Sequence, residues 1–144
     1  MSSIFSNLYA LVPFAAWCVS GTVKYAVNSV RFGREARSLA GNGGFPSTHT
    51  AVVSSITMLI GMTGGWNTPL FGLAVAFAYI VMIDALGIRR AVGEHARRIN
   101  RLAAHGPNSQ EHRLRERQGH TRLEVLGGLA VGTLVAWIFF LLAA

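Results

Sequence analysis

The chain has 144 residues, 51% of them apolar and only 13% charged, about half the charge usual for a soluble domain. Those figures exclude a disordered chain, collagen and, with a single cysteine, a disulfide scaffold. A net charge of +7 on so apolar a chain points to one membrane-embedded domain, 1–144, rather than to a soluble nucleic-acid binder.

The first predicted element is an apolar helix over Ile4–Val23. It lacks the basic residues that precede the apolar run of a signal peptide. It is therefore expected to be retained and to continue, becoming amphipathic, toward Arg31. The second, Thr48–Met62, is short of the roughly 20 residues a span needs unless it starts at Pro46, and proline is well tolerated at a first helical position. The third, Pro69–Ile88, and the fourth, Leu123–Ala143, reach span length. None alternates as a barrel strand does. The expected fold is an all-α membrane bundle of about four transmembrane helices, with two basic loops and a polar stretch at about 91–119.

Every Asp, Glu, Lys and Arg lies in Lys24–Arg37 or in Asp84–Glu124. With four spans these windows share one side, which carries all 13 basic residues. The positive-inside rule then puts both loops in the cytoplasm and both termini outside, in a multi-pass protein of the cell (inner or plasma) membrane. Arg97, Arg98, Arg101, Arg113, Arg115 and Arg117 are read as topology signals and as attraction to anionic lipid. They surround a polar stretch, Asn100–Gln118, broken by Gly106-Pro107-Asn108. No aromatics interleave with them, which argues against nucleic acid. Cys18, alone in an apolar helix, forms no intrachain disulfide. Gly128-x-x-x-Gly132 is either a close-packing motif or plain helix packing.

Four places carry chemistry. Gly41–His49 feeds a glycine-rich stretch into the second helix, where free N–H groups and the helix dipole suit a phosphate. Ser47 and the backbone at Thr48 are candidate donors there, with His49 in the first turn; the structural alternative makes Ser47 a helix cap and His49 an interfacial polar residue. His120 and Glu124, four apart, face the same way on a helix. The carboxylate can then hold the imidazole in one tautomer and leave the other nitrogen free to attack. Thr121-x-x-Glu124 equally fits a capping box. Lys24 and Arg31 share a helical face, and Arg89 and Arg90 follow the third span; Arg suits bidentate phosphate contacts. Asp84, the one acid inside an apolar span, is either functional or a salt-bridge partner that orients Arg89 or Arg90. No Asp/Glu cluster suggests a divalent-metal site.

Taken in order, these pieces resemble the type 2 phosphatidic acid phosphatase superfamily, which also contains the vanadium haloperoxidases. Lys24-x6-Arg31 matches its K-x6-R-P motif, with Phe32 at the proline. Pro46-Ser47-Thr48-His49 matches P-S-G-H, with Thr48 at the glycine. His120-x3-Glu124 resembles the end of S-R-x5-H-x3-D, with Glu at the Asp. The arginine of that motif is displaced, since Leu114 lies six residues before His120. The match is closer to a divergent branch of small bacterial and plant membrane proteins, whose pattern runs here through Gly43–His49, Asp84–Glu94 and Gly119–Val125. Arg89-x5-His95 also fits the third motif's spacing, but Ile99 stands where its carboxylate belongs.

The resemblance implies a membrane lipid-phosphate phosphatase that needs neither metal nor cofactor. His120 would attack phosphorus to form a phosphohistidine, Glu124 would orient it, and His49 would act as acid and then base. Lys24, Arg31, Ser47, Thr48, Arg89 and Arg90 would hold the phosphate, with Asp84 in support. The implied partner is a phosphorylated membrane lipid: phosphatidic acid, phosphatidylglycerol phosphate or a polyprenyl diphosphate. The alternative class is a non-catalytic lipid-phosphate binding or transport protein that keeps the cradle. A homo-oligomer is left open, since a second copy would bury Asp84 and the second span.

Overall fold

The computed structural model describes residues 3–33, 43–104 and 113–143. The expectations for Gly41, Asn42 and the Gly106-Pro107-Asn108 break lie outside the described residues. Among the described residues the fold is all-helical: α1 (Ser3–Phe32), α2 (Thr48–Gly64), α3 (Pro69–Leu86), α4 (Ile88–Ala103) and α5 (Arg122–Ala143). Runs without charge propagate as helix because lipid offers the backbone no other hydrogen-bond partners.

Three stretches are long and apolar enough to cross a membrane: α1, α3 continuing through α4, and α5. The expected first helix does run on, with 30 residues, or about 45 Å. That exceeds a hydrocarbon core of roughly 30 Å, so its polar last third is free to build a site. The second helix, at 17 residues, is roughly 26 Å long. It starts at Thr48 behind a Ser47 cap rather than at Pro46. Its shortness is tolerated because protein, not lipid, surrounds it: α2 touches α1, α3 and α5.

Burial shapes the chemistry of α2. Ser54, Ser55 and Thr57 are buried among apolar neighbours, and each hydroxyl bonds a carbonyl of its own helix three or four residues back. Polar side chains thus pass through the bundle centre without unmet hydrogen bonds. Gly128 and Gly132 explain how α5 comes so close. A side chain at Gly128 would strike the Ser47 carbonyl, and one at Gly132 would strike Ala51 and Ser54. The Gly-x-x-x-Gly spacing is spent inside the chain, against α2.

The two ends of the bundle differ. At one, Leu8, Val12, Ala16, Leu59, Val135 and Ala136 form an apolar cluster, tied by Tyr9 Oη to Thr63 Oγ1 at 2.7 Å. At the other, the polar end of α1, the start of α2, the residues after the Gly87 turn and the entry to α5 line shared cavities. Large apolar side chains such as Trp17, Leu73, Phe77, Ile80 and Trp137 are more than half exposed on the outside, as a lipid-facing surface requires. Among the described residues α1 and α3 make no close approach, and a cleft floored by α2 separates them.

The polar stretch expected as a loop with some helix is helical up to Ala103 and non-helical over 113–118 among the described residues. Gly87 interrupts α3 and donates its N–H to Ile83 O at 2.8 Å, and α4 then runs to Ala103. Gly93 of α4 packs so tightly on the 116–118 backbone that a side chain would strike Glu116 O. Asn100 closes the contact, bonding both the N–H and the carbonyl of Leu114 at 2.9 Å.

Candidate active site

Three segments converge at the polar end, and each is fixed by local chemistry. Ser47 caps α2 in extended backbone, its Oγ accepting from Thr50 N at 3.4 Å and from Thr50 Oγ1 at 2.9 Å. Thr48 and His49 are thereby the first two helical residues, whose N–H groups have no partner within the helix. The Ser47 N–H bonds Glu124 O at 2.8 Å, locking the start of α2 to the first turn of α5.

Gly119 sets the second segment. Its φ is +78°, and a side chain there would lie 2.7 Å from Arg90 N and 3.0 Å from Ala85 O. Only glycine meets both demands. The chain then delivers His120, whose N–H bonds Ala85 O at 2.9 Å. Gly43 presses on this segment from the other side, since a side chain on it would strike Gly119 O.

Glu124 combines the two roles that the sequence left open. Thr121 Oγ1 accepts from Glu124 N at 3.3 Å, and Glu124 Oε2 accepts from Thr121 N at 3.0 Å, completing a capping box. The same Oε2 lies 3.0 Å from His120 Nδ1. His120 is buried, at 7% exposure. Burial holds its ring below the ordinary histidine value, the Glu124 hydrogen bond opposing and Lys24 adding to the shift. A neutral ring beside a carboxylate donates Nδ1–H to it, which leaves Nε2 with its lone pair.

The cleft between α1 and α3 is a cavity of about 1250 Å³. Lys24, Thr48, His49, Arg89 and His120 line its polar end, with Arg115 and Arg117 at the rim; Trp17, Gly21, Val52, Val53, Phe77 and Val81 line the rest. Of the sequence candidates, these five come together. Arg31, Arg90 and Glu124 instead line an adjoining cavity of about 300 Å³. His120 lines both cavities while Glu124 lines only the smaller. The imidazole therefore borders both cavities, its Nδ1 on the Glu124 carboxylate of the smaller one.

Two candidates line neither cavity. Ser47 is fully buried and its hydroxyl serves the cap, the structural alternative of the two. Asp84 pairs with Arg89 Nε and so orients a cation of the larger cavity. His95, the competing histidine, is exposed on α4 and lines neither. Among the lining residues that escaped the sequence reading is Asn28, 6% exposed, which lines both cavities. Its position between Lys24 and Arg31, four residues after one and three before the other, was the available signal. Among the described residues no group of three His, Cys, Asp or Glu could hold a metal ion.

The same three segments, Gly43–His49, Asp84–Glu94 and Gly119–Val125, carry the resemblance noted above. A profile described as the divergent PAP2 family matches residues 5–135. The chain belongs to this family. YuiD of Bacillus subtilis (strain 168), described as an uncharacterized membrane protein, is 35% identical over 116 residues, covering 69% of this chain and 73% of the relative. No solved structure matches. The divergent PAP2 motifs thus correspond to the walls of one polar pocket system in a helical membrane protein.

Proposed function

We propose that this divergent PAP2 protein is a metal-independent lipid phosphatase of the cell membrane, acting at the cytoplasmic face on a phosphomonoester or diphosphate of a lipid headgroup. One observation carries the reading: a buried histidine, His120, held at Nδ1 by a carboxylate, lines a cavity shared with His49, Lys24 and Arg89. The apolar remainder of that cavity, between α1 and α3, suits the chain of a lipid entering sideways from the bilayer. The basic residues gathered at this end support a cytoplasmic orientation.

In the proposed reaction the Nε2 lone pair attacks phosphorus and the P–O bond to the lipid breaks. Protonated His49 gives its proton to the departing oxygen, releasing the lipid alcohol or lipid phosphate. Neutral His49 then takes a proton from water, whose oxygen attacks phosphorus and breaks the P–N bond. Phosphate leaves, and His120 recovers its lone pair. Lys24, Arg89 and the N–H groups of Thr48 and His49 face the equatorial oxygens, where phosphoryl transfer gathers charge.

The test uses protein purified in detergent, with chelator present, against phosphatidic acid, phosphatidylglycerol phosphate and a polyprenyl diphosphate. Phosphate is released from at least one; His120→Ala abolishes release, His95→Ala retains it, and vanadate inhibits. Full activity in His120→Ala refutes the phosphohistidine route. Tight lipid binding with no release from any substrate replaces the enzyme with a binding or transport protein.

A further inference from the structure

Among the described residues α4 buries one face only. Gly93 and Ala96 are buried and Asn100 bonds Leu114, so this side carries the 113–118 segment. Roughly 110° around the helix runs a second apolar row, Ile88, Val92, Ile99 and Leu102, with His95 in line. All five are exposed, Leu102 to 81%. Lys24 and Arg89 line the larger cavity, and Arg31 and Arg97 the smaller. From the first pair to the second, α1 rises about 10 Å and α4 about 12 Å. That match directs α4 out of the bilayer beside the polar end of α1, and sets Leu102 roughly 21 Å beyond Ile88, clear of lipid. An apolar row in that position calls for a protein partner.

The spacing of the row says which partner. It steps by four, three, four and three residues, the seam of a coiled coil, with Val92 and Ile99 at a and Ile88, His95 and Leu102 at d. β-Branched residues at a with leucine at d favour two parallel strands. Charge does not oppose pairing with an identical helix. Of the flanking e and g positions, Ala91, Ala96 and Ala103 are neutral, while Arg98 is matched by Glu94 at 2.9 Å and Arg89 by Asp84. Copies in one membrane share an orientation, so a two-fold axis along the membrane normal sets two α4 helices parallel and in register. Two heptads form a short seam. However, the Gly93 and Asn100 contacts already order the helix, and confinement to the membrane lowers the entropy lost on pairing.

We propose that α4 is a dimerisation helix, whose seam of Ile88, Val92, His95, Ile99 and Leu102 pairs with the same seam of a second copy as a parallel two-stranded coiled coil. His95, a polar residue at one seam position, fixes the register at a cost in affinity. The second copy meets α4 rather than Asp84 or α2. Pairing does not depend on the phosphatase reading and requires no turnover.

Disulfide crosslinking of the full chain in phosphatidylcholine liposomes, in a Cys18→Ala background, tests the geometry. On mild oxidation Ile99→Cys and Leu102→Cys give a crosslinked dimer, while Arg101→Cys, at a c position facing away from the seam, stays monomeric. Förster transfer between labelled copies, across a dilution series in the same liposomes, reads the affinity. Ile99→Glu/Leu102→Glu raises the dissociation constant at least about tenfold, as loss of two apolar seam contacts implies, and Arg101→Glu leaves it unchanged. Both seam positions are exposed within one copy. Should that pair fail to fold, His95→Leu, which completes the apolar seam, lowers the dissociation constant by about tenfold. A monomer at every dilution overturns the proposal, as does equal crosslinking of Leu102→Cys and Arg101→Cys. So does a dimer whose affinity is indifferent to a folded Ile99→Glu/Leu102→Glu or to His95→Leu. A monomer whose Leu102→Cys nitroxide has the oxygen access of a lipid-buried site overturns it too, and gives the row to the membrane surface.

Discussion

Glu124→Gln separates the two duties of one carboxylate oxygen. Oε2 accepts from Thr121 N and from His120 Nδ1, both at 3.0 Å. Glutamine can offer its carbonyl oxygen at the same point, so the capping box and the imidazole tautomer both persist. What disappears is the charge. A hydrogen bond to a charged group contributes about 1.5–3 kcal/mol, against about 1 kcal/mol for a neutral one, so the fold loses no more than about 2 kcal/mol. The reaction loses more, because His120 becomes cationic as it bonds phosphorus and then needs the full charge beside it. A transition state deprived of about 1.5–3 kcal/mol slows roughly 10- to 150-fold. Phosphate release from the best lipid substrate, measured alongside thermal unfolding in the same detergent, reads both quantities. Glu124→Ala, which also breaks the cap, should be worse on both. If Glu124→Gln turns over at the wild-type rate while Glu124→Ala is inactive, the carboxylate serves only the helix cap, and the argument for an oriented nucleophile fails.

Acid should weaken the fold through His120. Its ring binds protons less readily when buried than when unfolded, so stability is full above the unfolded value of about 6.5 and falls as pH drops below it. Thermal unfolding of wild type at pH 5 and 7, compared with His120→Gln, checks this; an equal acid loss in both would assign the effect elsewhere. Gly119→Ala should cost about 1–2 kcal/mol for left-handed backbone and about 1–3 more for crowding Arg90 and Ala85. Gly72→Ala, with nothing within 4 Å of its new methyl, should hold or raise the unfolding temperature. Equal behaviour of those two variants in a melting series would contradict the packing described at Gly119. Ser47→Ala should lower stability by at least about 1 kcal/mol through the lost cap, with turnover falling only as far as folding does. A loss of turnover in protein that remains folded would mean the hydroxyl reaches phosphate after all.

The amino-acid sequence by itself determined the class of molecule and the residues worth testing. Uncharged runs long enough for a bilayer, and charges confined to two windows, are local properties, legible because lipid rejects ionised groups along a helix. His120 and Glu124 were legible as a pair by their spacing, but His120 lies just outside α5, and Gly119 with the Ala85 carbonyl sets where its ring stands. Tertiary structure decided the rest, because it depends on which helices touch. The span-length rule could not show that the short α2 is shielded by three neighbours, nor that Gly128 and Gly132 are spent against it. It could not separate Arg89 from Arg90. Adjacent in sequence, they point about 100° apart on a helix; Arg89 joins Lys24 and His49 in the larger cavity, and Arg90 joins Arg31 in the adjoining smaller one. The cradle read from motif order is lined as well by Asn28, Gly43 and Gly119, which border both cavities. Their role comes from packing between segments distant in the chain, and no local spacing encodes it.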